Sequence, residues 1–276
     1  MRNNLLRPST SEKKELVVIT GASSGIGAAV ARSISAEGYP VALIARREKL
    51  LTEVAREIQA NGGRAFPLPT DLASKSALST LPERINNLGY PLGILINNAG
   101  FAWYGFGDEM SWEIAGEMIA VNISAATYLT LAFLPGMVAN GKGHVINIGS
   151  IAGSIPSQGV AVYSATKSYL DSFTTSLYRE LRGTKVHASV VRAGAVATPF
   201  YQNVAKHSGS REIPVERLAI RPEKIADQVV RLIQRPRRVV YMPRWLLFVP
   251  WIELTFGWLM DQLGPALLPS RSDQQV

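Results

Sequence analysis

The sequence has no cysteine among its 276 residues, so disulfide bonds and thiolate metal sites are excluded. Its three histidines, His144, His187 and His207, are too scattered along the chain to predict a metal cluster, and we expect no metal site. The first 14 residues are polar and lack the apolar core of a signal peptide. We therefore expect a cytoplasmic protein with an N-terminal arm over residues 1–14.

Acidic residues are fewer than basic ones, 21 against 29, which gives a formal net charge of +8. Residues 211–244 carry much of this excess, with nine basic and four acidic side chains. No recognisable nucleic-acid-binding module accompanies the charge, so we expect no nucleic-acid partner. The segment is either a solvated face or a surface for anionic lipid headgroups or an acidic carrier protein.

Short apolar strands alternate with helices along the chain. Strands are predicted at 16–19, 41–45, 65–68, 92–96, 143–148, 185–191 and 239–242, and helices after residue 27 and at 48–60, 74–87, 111–139, 160–181 and 222–234. Strands that are apolar without alternation are typical of parallel sheets buried on both faces. The predicted fold is α/β, a doubly wound, Rossmann-type, seven-stranded parallel sheet with helices on both faces, in one domain over residues 15–242.

A glycine-rich turn over residues 20–27 joins the first strand to the first helix. Glycine lets such a turn close and lets backbone N–H groups approach a pyrophosphate at the helix N-terminus. This context predicts a dinucleotide site, with contacts from Gly21, Ser23, Ser24, Gly25 and Ile26.

Two arginines, Arg46 and Arg47, follow the second strand, where an NAD-specific site usually places an acidic residue on the ribose. A guanidinium suits a 2′-phosphate, which a carboxylate would repel. We therefore expect NADP(H) to be preferred over NAD(H). The alternative is that both arginines only cap a helix end and that Glu48 reaches the ribose.

Ser150 follows the fifth strand, and Tyr163 and Lys167 lie four residues apart on one face of the next helix. A nearby ammonium favours the phenolate and brings a tyrosine within a useful range for acid/base chemistry. By itself this spacing is common and has little specificity.

Five elements together resemble the short-chain dehydrogenase/reductase family over about residues 16–242. They are Thr20-Gly21-x-x-x-Gly25-Ile26-Gly27, Asn97-Asn98-Ala99-Gly100, Asn122, Ser150 and Tyr163-x-x-x-Lys167. The resemblance implies that Tyr163 passes a proton to the substrate carbonyl oxygen and that Ser150 hydrogen-bonds that oxygen. It implies that Lys167 lowers the pKa of Tyr163 and holds the nicotinamide ribose, and that Asn122 supports a water-linked relay to Lys167.

The same resemblance assigns further cofactor contacts. It implies that Asp71 and Leu72 contact adenine and that Asn98, Ala99 and Gly100 line the cofactor and brace the sheet. After the sixth strand, Gly194, Val196 and Thr198 are cofactor contacts, although Ala193 replaces the proline that is usual in the family. Losing the fixed φ of proline loosens this turn without removing contacts.

Two segments beyond this framework bear on the substrate. Residues 199–220 are the expected substrate lid, and Trp103, Tyr104 and Phe106 form either an apolar pocket wall or part of the core. Residues 243–276 are an apolar C-terminal extension that is too interrupted for a membrane span. We expect a helix to start at Pro250, with one narrow polar stripe formed by Glu253, Gly257 and Asp261. The rest of the helix surface is apolar and needs a cover: its own domain, a second subunit or a membrane surface.

The sequence thus predicts an NADPH-dependent oxidoreductase that reduces a ketone or aldehyde, or catalyses the reverse alcohol oxidation, on a small, apolar, lipid-like substrate. The alternatives are a 3-oxoacyl carrier-protein reductase and, in another class, a dinucleotide-binding sensor or scaffold without turnover. The resemblance implies a homodimer or homotetramer formed through the two long helices. Peripheral membrane contact through the C-terminal segment is a further expectation.

Overall fold

The computed structural model describes residues 14–155, 157–200, 204, 210 and 219–263. The expected N-terminal arm, apart from Lys14, and most of the expected lid at 199–220 lie outside the described residues. The end of the C-terminal extension, from residue 264, also lies outside them.

Seven parallel strands form one sheet, as predicted. They are β1 (Leu16–Thr20), β2 (Val41–Ala45), β3 (Ala65–Pro69), β4 (Leu92–Asn97), β5 (Gly143–Ser150), β6 (Val186–Ala193) and β7 (Val239–Met242). Their order is β3-β2-β1-β4-β5-β6-β7, and each neighbouring pair is parallel. The chain order reverses between β1 and β4, which is where ligands bind in doubly wound sheets.

Helices cover both faces of the sheet. They are α1 (Gly25–Ala36), α2 (Glu48–Ala60), α3 (Lys75–Asn86), α4 (Trp112–Ile119), α5 (Ala126–Ala139), α6 (Ala161–Glu180), α7 (Pro222–Gln234) and α8 (Val249–Leu263). Successive residues of β1 point to opposite faces, so that Val17 and Ile19 join the core beneath α1, α2 and α7. Leu16 and Val18 join the core beneath α3, α5 and α6. This two-sided burial explains why the strands are apolar throughout.

The predicted helix over residues 111–139 is interrupted. Ala120–Ala125 is π-helical and joins α4 to α5. The apolar pattern runs through this segment without a break, so the sequence carried no signal for the insertion. Although residues 112–139 are long and apolar enough to cross a membrane by composition, Met118, Leu129 and Phe133 are buried within the fold.

The carboxyl ends of the central strands are braced by side chains. Asn97, at the end of β4, donates from Nδ2 to Oδ1 of Asn147 on β5 at 2.9 Å. The Asn147 amide in turn donates to Thr174 Oγ1 on α6 at 2.8 Å. Buried amides that are paired in this way fix the strands and the helix that carry the groups at the sheet edge.

Candidate active site

A cavity of about 780 Å³ opens along the carboxyl edge of the sheet. All of the predicted site residues except Asn122 line it: Gly21, Ser23, Ser24, Gly25, Ile26, Arg46, Arg47, Asp71, Leu72, Asn98, Ala99, Gly100, Ser150, Tyr163, Lys167, Gly194, Val196 and Thr198. Residues from seven segments of the chain therefore meet in one continuous space, as the switch point of the sheet predicts.

The glycine-rich turn forms one end of the cavity. Gly21 and Gly25 have positive φ angles of 68° and 55°, which other residues rarely adopt. A Cβ on Gly27 would lie 2.3 Å from the Gly21 oxygen, so only glycine allows this approach. Ser24 directly precedes α1 without a side-chain capping bond, and Ser24 and Gly25 line the cavity, so the N-terminus of α1 borders the space where an anion would sit.

Asn98 and Thr20 hold this turn against the end of β4. The Asn98 amide donates to the backbone oxygens of Thr20 and Gly21 at 2.9 and 3.3 Å. The Thr20 hydroxyl accepts from the backbone N–H groups of Asn98 and Ala99, both at 3.0 Å. These contacts join the glycine-rich turn to the two residues that directly follow β4.

The two arginines occupy different surroundings. Arg47 donates through Nη2 to the hydroxyls of Ser23 and Ser24 at 2.9 and 2.5 Å, and through Nε to Ser23 at 3.2 Å. Partial burial, followed by repulsion from Arg46, lowers the pKa of the Arg47 guanidinium. Arg46 is more exposed and pairs with Glu117 of α4 at 2.7 Å. Two adjacent cations beside a glycine turn suit an anion that relieves their repulsion.

The remaining cofactor candidates frame the same end. Asp71 accepts the Ala73 N–H at 3.0 Å, and the Leu72 side chain is buried beside it. Thr198 packs against the turn, since a Cβ on Gly25 would lie 3.0 Å from the Thr198 side chain. The turn at Gly194 is held without the proline, because the Gly194 N–H donates to the Met242 oxygen at 2.8 Å.

Ser150, Tyr163 and Lys167 all line the cavity. The Lys167 ammonium lies 5.7 Å from the Tyr163 ring centroid and donates to the Ile148 oxygen at 2.9 Å. Burial lowers the pKa of Lys167 to about 8, against the opposing effect of Asp171. The Ser150 hydroxyl accepts the Ala152 N–H at 3.2 Å. A hydroxyl, a phenol and an ammonium therefore line one cavity.

Asn122 lies on the π-helical segment and is buried. Its amide donates to the Phe101 oxygen and to Thr166 Oγ1, each at 3.0 Å, and its Oδ1 accepts the Phe101 N–H at 3.0 Å. The side chain therefore ties α4 and α6 to the loop after β4. These bonds use both N–H donors of the amide, while Oδ1 keeps a second lone pair that can accept a further hydrogen bond.

A buried ion pair behind Lys167 was not predicted. Asp171 lies one helical turn after Lys167, and its Oδ2 is 3.0 Å from Arg192 Nε on β6. Burial raises the pKa of Asp171, while the Arg192 guanidinium opposes that effect. Arg192 also donates to the Tyr241 hydroxyl on β7. The pair joins residues from separate elements, and no local sequence pattern signals it.

The cavity lining also includes aromatic and acidic side chains. Tyr104 and Phe200 line the cavity, and the Phe200 ring centroid is 6.0 Å from that of Tyr163. Trp103 is instead buried in the core, so only part of the expected aromatic wall faces the cavity. Glu253 and Asp261 of α8 also line the cavity, which places the predicted polar stripe toward the domain.

Comparison with known proteins identifies relatives of this chain. The family described as short chain dehydrogenase matches residues 15–209. The ketoacyl reductase HetN of Nostoc sp. is 36% identical over 184 residues, which are 66% of this chain and 63% of that protein. The NADP-dependent 3-hydroxy acid dehydrogenase YdfG of Shigella flexneri is 33% identical over 225 residues, covering 78% of this chain and 87% of that protein.

A solved structure of similar fold is the short-chain dehydrogenase from Sphingobium yanoikuyae in complex with NADPH. It superimposes with a TM-score of 0.79 at 27% identity, covering 93% of this chain and 99% of that one. The family match extends over most of the chain, and the parallel sheet agrees with it. This chain is therefore an oxidoreductase of the short-chain dehydrogenase/reductase family.

Proposed function

We propose that the protein is an NADPH-dependent reductase of a ketone or aldehyde, or the corresponding alcohol dehydrogenase, acting on a hydrophobic substrate. The observation that carries this proposal is that Tyr163, Lys167 and Ser150 line the same cavity as the glycine turn and Arg47. A proton donor and a phosphate-binding end thus share one continuous space.

The residues present fit NADPH. Gly21 and Gly27 let the turn pack closely on Asn98, where a Cβ on either would collide. Arg47 adds a cation, held by Ser23, where a 2′-phosphate would need one. We assign the phosphate contacts to the turn and to Arg46 and Arg47, and the adenine contacts to Asp71 and Leu72. The NADPH complex of the Sphingobium yanoikuyae relative supports this choice of cofactor. When bound, NADPH supplies the hydride that reduces the carbonyl carbon.

The protein moves the proton and orients the carbonyl. Tyr163 donates its phenolic proton to the carbonyl oxygen as that oxygen gains negative charge. Ser150 donates a hydrogen bond to the same oxygen, since its hydroxyl oxygen already accepts from Ala152. The Lys167 ammonium stabilises the phenolate that remains on Tyr163 after transfer. In alcohol oxidation each step runs in reverse.

The cavity lining supports an apolar substrate body. Phe101, Tyr104 and Phe200 offer aromatic surface in the cavity lining. Glu253 and Asp261 add two carboxylates to the lining, which suit a hydrogen-bond donor on the substrate.

A 3-oxoacyl carrier-protein reductase is the second candidate, and the name of the HetN relative favours it. Its carrier would dock on basic residues within 211–244. Arg237 and Arg238 directly precede β7, however, so they lie at the sheet edge opposite the cavity. A sensor or scaffold without turnover is disfavoured, because it would not need Ser150, Tyr163 and Lys167 together.

We further propose a cytoplasmic homodimer or homotetramer. Large side chains are exposed on α5 and α6, among them Leu131 at 57%, Tyr169 at 36% and Tyr178 at 38%. Tyr169 and Thr127 also bond across these two helices at 2.9 Å. This surface fits a partner copy. Sedimentation equilibrium of Leu131→Glu against the intact protein tests the assignment.

The deciding experiment follows NADPH oxidation against ketones and aldehydes of graded chain length, with a 3-oxoacyl thioester in the panel. We expect kcat/KM to rise with apolar length. A strong preference for the thioester would favour the second candidate. Absence of turnover across the panel, with NADPH bound, would favour the sensor.

The pH dependence of reduction should reflect Lys167. Because burial lowers its pKa to about 8, the ammonium is present below that pH and is lost as the pH rises through it. We therefore expect kcat for carbonyl reduction to fall above about pH 8. A profile of kcat from pH 6 to 10 at saturating NADPH measures this limb.

The fall in kcat above about pH 8 should also depend on the buried pair of Asp171 and Arg192. Asp171 raises the pKa of Lys167, so Asp171→Asn should move the falling limb to lower pH. The variant also leaves the Arg192 charge without its carboxylate partner, which costs about 3–5 kcal/mol of stability for a buried pair. Adding Arg192→Gln removes that unpaired charge. An unshifted limb in the folded double variant would show that Asp171 does not act on Lys167.

A further inference from the structure

Helix α8 presents its polar side to the protein and its apolar side to solvent. Glu253 and Asp261 line the cavity, while Leu254 is 80% exposed and Trp251 is 66% exposed. The apolar side chains that are at least 36% exposed in this region are Trp245, Leu247, Phe248, Trp251, Ile252, Leu254, Phe256, Trp258 and Leu259. We name this set the C-terminal apolar surface. Its orientation is the reverse of a helix that packs on a soluble domain.

The segment is anchored to the domain at its start. A short 3₁₀ helix, Arg244–Phe248, follows β7, and its Leu246 is buried. A Cβ on Gly194 would lie 2.9 Å from the Leu246 side chain, so it is the absence of a side chain on Gly194 that makes room for Leu246. The apolar surface is therefore held beside the turn that follows β6, next to the cavity.

We propose that the C-terminal apolar surface docks on an anionic phospholipid bilayer, with α8 lying in the headgroup region. A 15-residue helix is shorter than the roughly 20 residues needed to span a bilayer, and it bends at Phe256. Three tryptophans on one exposed surface are typical of side chains that settle at a membrane interface.

Charge favours a bilayer over a second copy. The sequence from Gln228 to Ile252 has five arginines and no acidic residue. Of these arginines, Arg244 is exposed at the start of the apolar surface, whereas Arg237 and Arg238 lie at the opposite end of β7. Anionic headgroups complement these cations. A two-fold contact between copies through this surface would bring the arginines of the two copies together. In addition, α5 and α6 already offer a separate surface for a second copy.

This docking would place the cavity beside the bilayer, since α8 contributes to both. The consequence for the substrate rests on the proposed function: the carbonyl compound would enter from the lipid phase. The docking itself does not rest on that function, so the two can fail separately.

The test is sedimentation of the full-length protein with vesicles of phosphatidylcholine and phosphatidylglycerol at 3:1, in low and high salt. We expect binding at low salt, and at least tenfold weaker binding for the double variant Trp251→Ser, Trp258→Ser. Trp112→Ser is the matched control, because Trp112 is 75% exposed on α4 and should bind as the intact protein does. NADPH binding, followed in parallel, should be unchanged in both variants.

Three outcomes would overturn the proposal. The intact protein could fail to sediment with these vesicles at low salt, or the double variant could bind as well as the control. Alternatively, without vesicles, the double variant could lose an oligomer that Trp112→Ser retains, which would assign the surface to a second copy. Equal binding to vesicles of pure phosphatidylcholine would mean that the surface binds a bilayer but that the arginines do not contribute to binding.

Discussion

Tyr163→Phe should lower kcat for carbonyl reduction by about 10²- to 10⁴-fold, the range for losing a positioned acid. The variant removes one oxygen and keeps the ring that packs 6.0 Å from Phe200. Proton donation to the carbonyl oxygen is then lost, while the glycine turn and Arg47 are untouched. Single-turnover rates with saturating NADPH measure the effect, and titration of NADPH fluorescence measures binding.

Tyr169→Phe provides the matched control for this experiment. Tyr169 lies on the same helix, outside the cavity, and its hydroxyl pairs with Thr127 at 2.9 Å. It should retain normal turnover. If Tyr163→Phe reduces the carbonyl at the rate of this control, Tyr163 is not the proton donor. If NADPH binding falls in parallel with turnover, the loss of turnover results from weaker cofactor binding.

The sequence was most informative where an element depends on local residues. The apolar strands and the turn from Gly21 to Gly27 are short-range patterns, and the parallel sheet confirms the fold predicted from them. Strand order also decides which loops meet, because carboxyl ends of parallel strands share one edge. The cavity accordingly gathers Arg47, Ser150 and Tyr163, which were predicted from separate stretches.

Features that depend on contacts between distant segments had no such signal. The Asp171–Arg192 pair joins α6 to β6, and its proposed effect on the pKa of Lys167 follows only from its position beside that residue. The π-helical turn at Asn122 depends on how the helix fits over the loop after β4. The polar stripe on α8 was visible in the sequence, but its direction was not, because periodicity defines a face without saying what the face meets.

Arg47→Ala should raise KM for NADPH by roughly 10- to 100-fold, as expected for losing about 1.5–3 kcal/mol of charge-assisted hydrogen bonding. KM for NADH should change little, because NADH carries no 2′-phosphate for the guanidinium to bind. Arg47 is fixed by the hydroxyls of Ser23 and Ser24, so its charge is already positioned before the cofactor arrives. Steady-state kinetics with each cofactor, at one ionic strength, gives both constants.

Two further arginines show whether this effect is specific. Arg46 is paired with Glu117 and is more exposed, so Arg46→Ala should raise KM for NADPH less than Arg47→Ala does. Arg32→Ala removes an exposed arginine that pairs with Glu57, outside the cavity, and should change neither constant. Equal losses for NADPH and NADH in Arg47→Ala would mean that the side chain only supports the glycine turn. A preference for NADH in the intact enzyme would remove the phosphate assignment from both Arg46 and Arg47 and leave Glu48, at the start of α2, as the group that reaches the ribose.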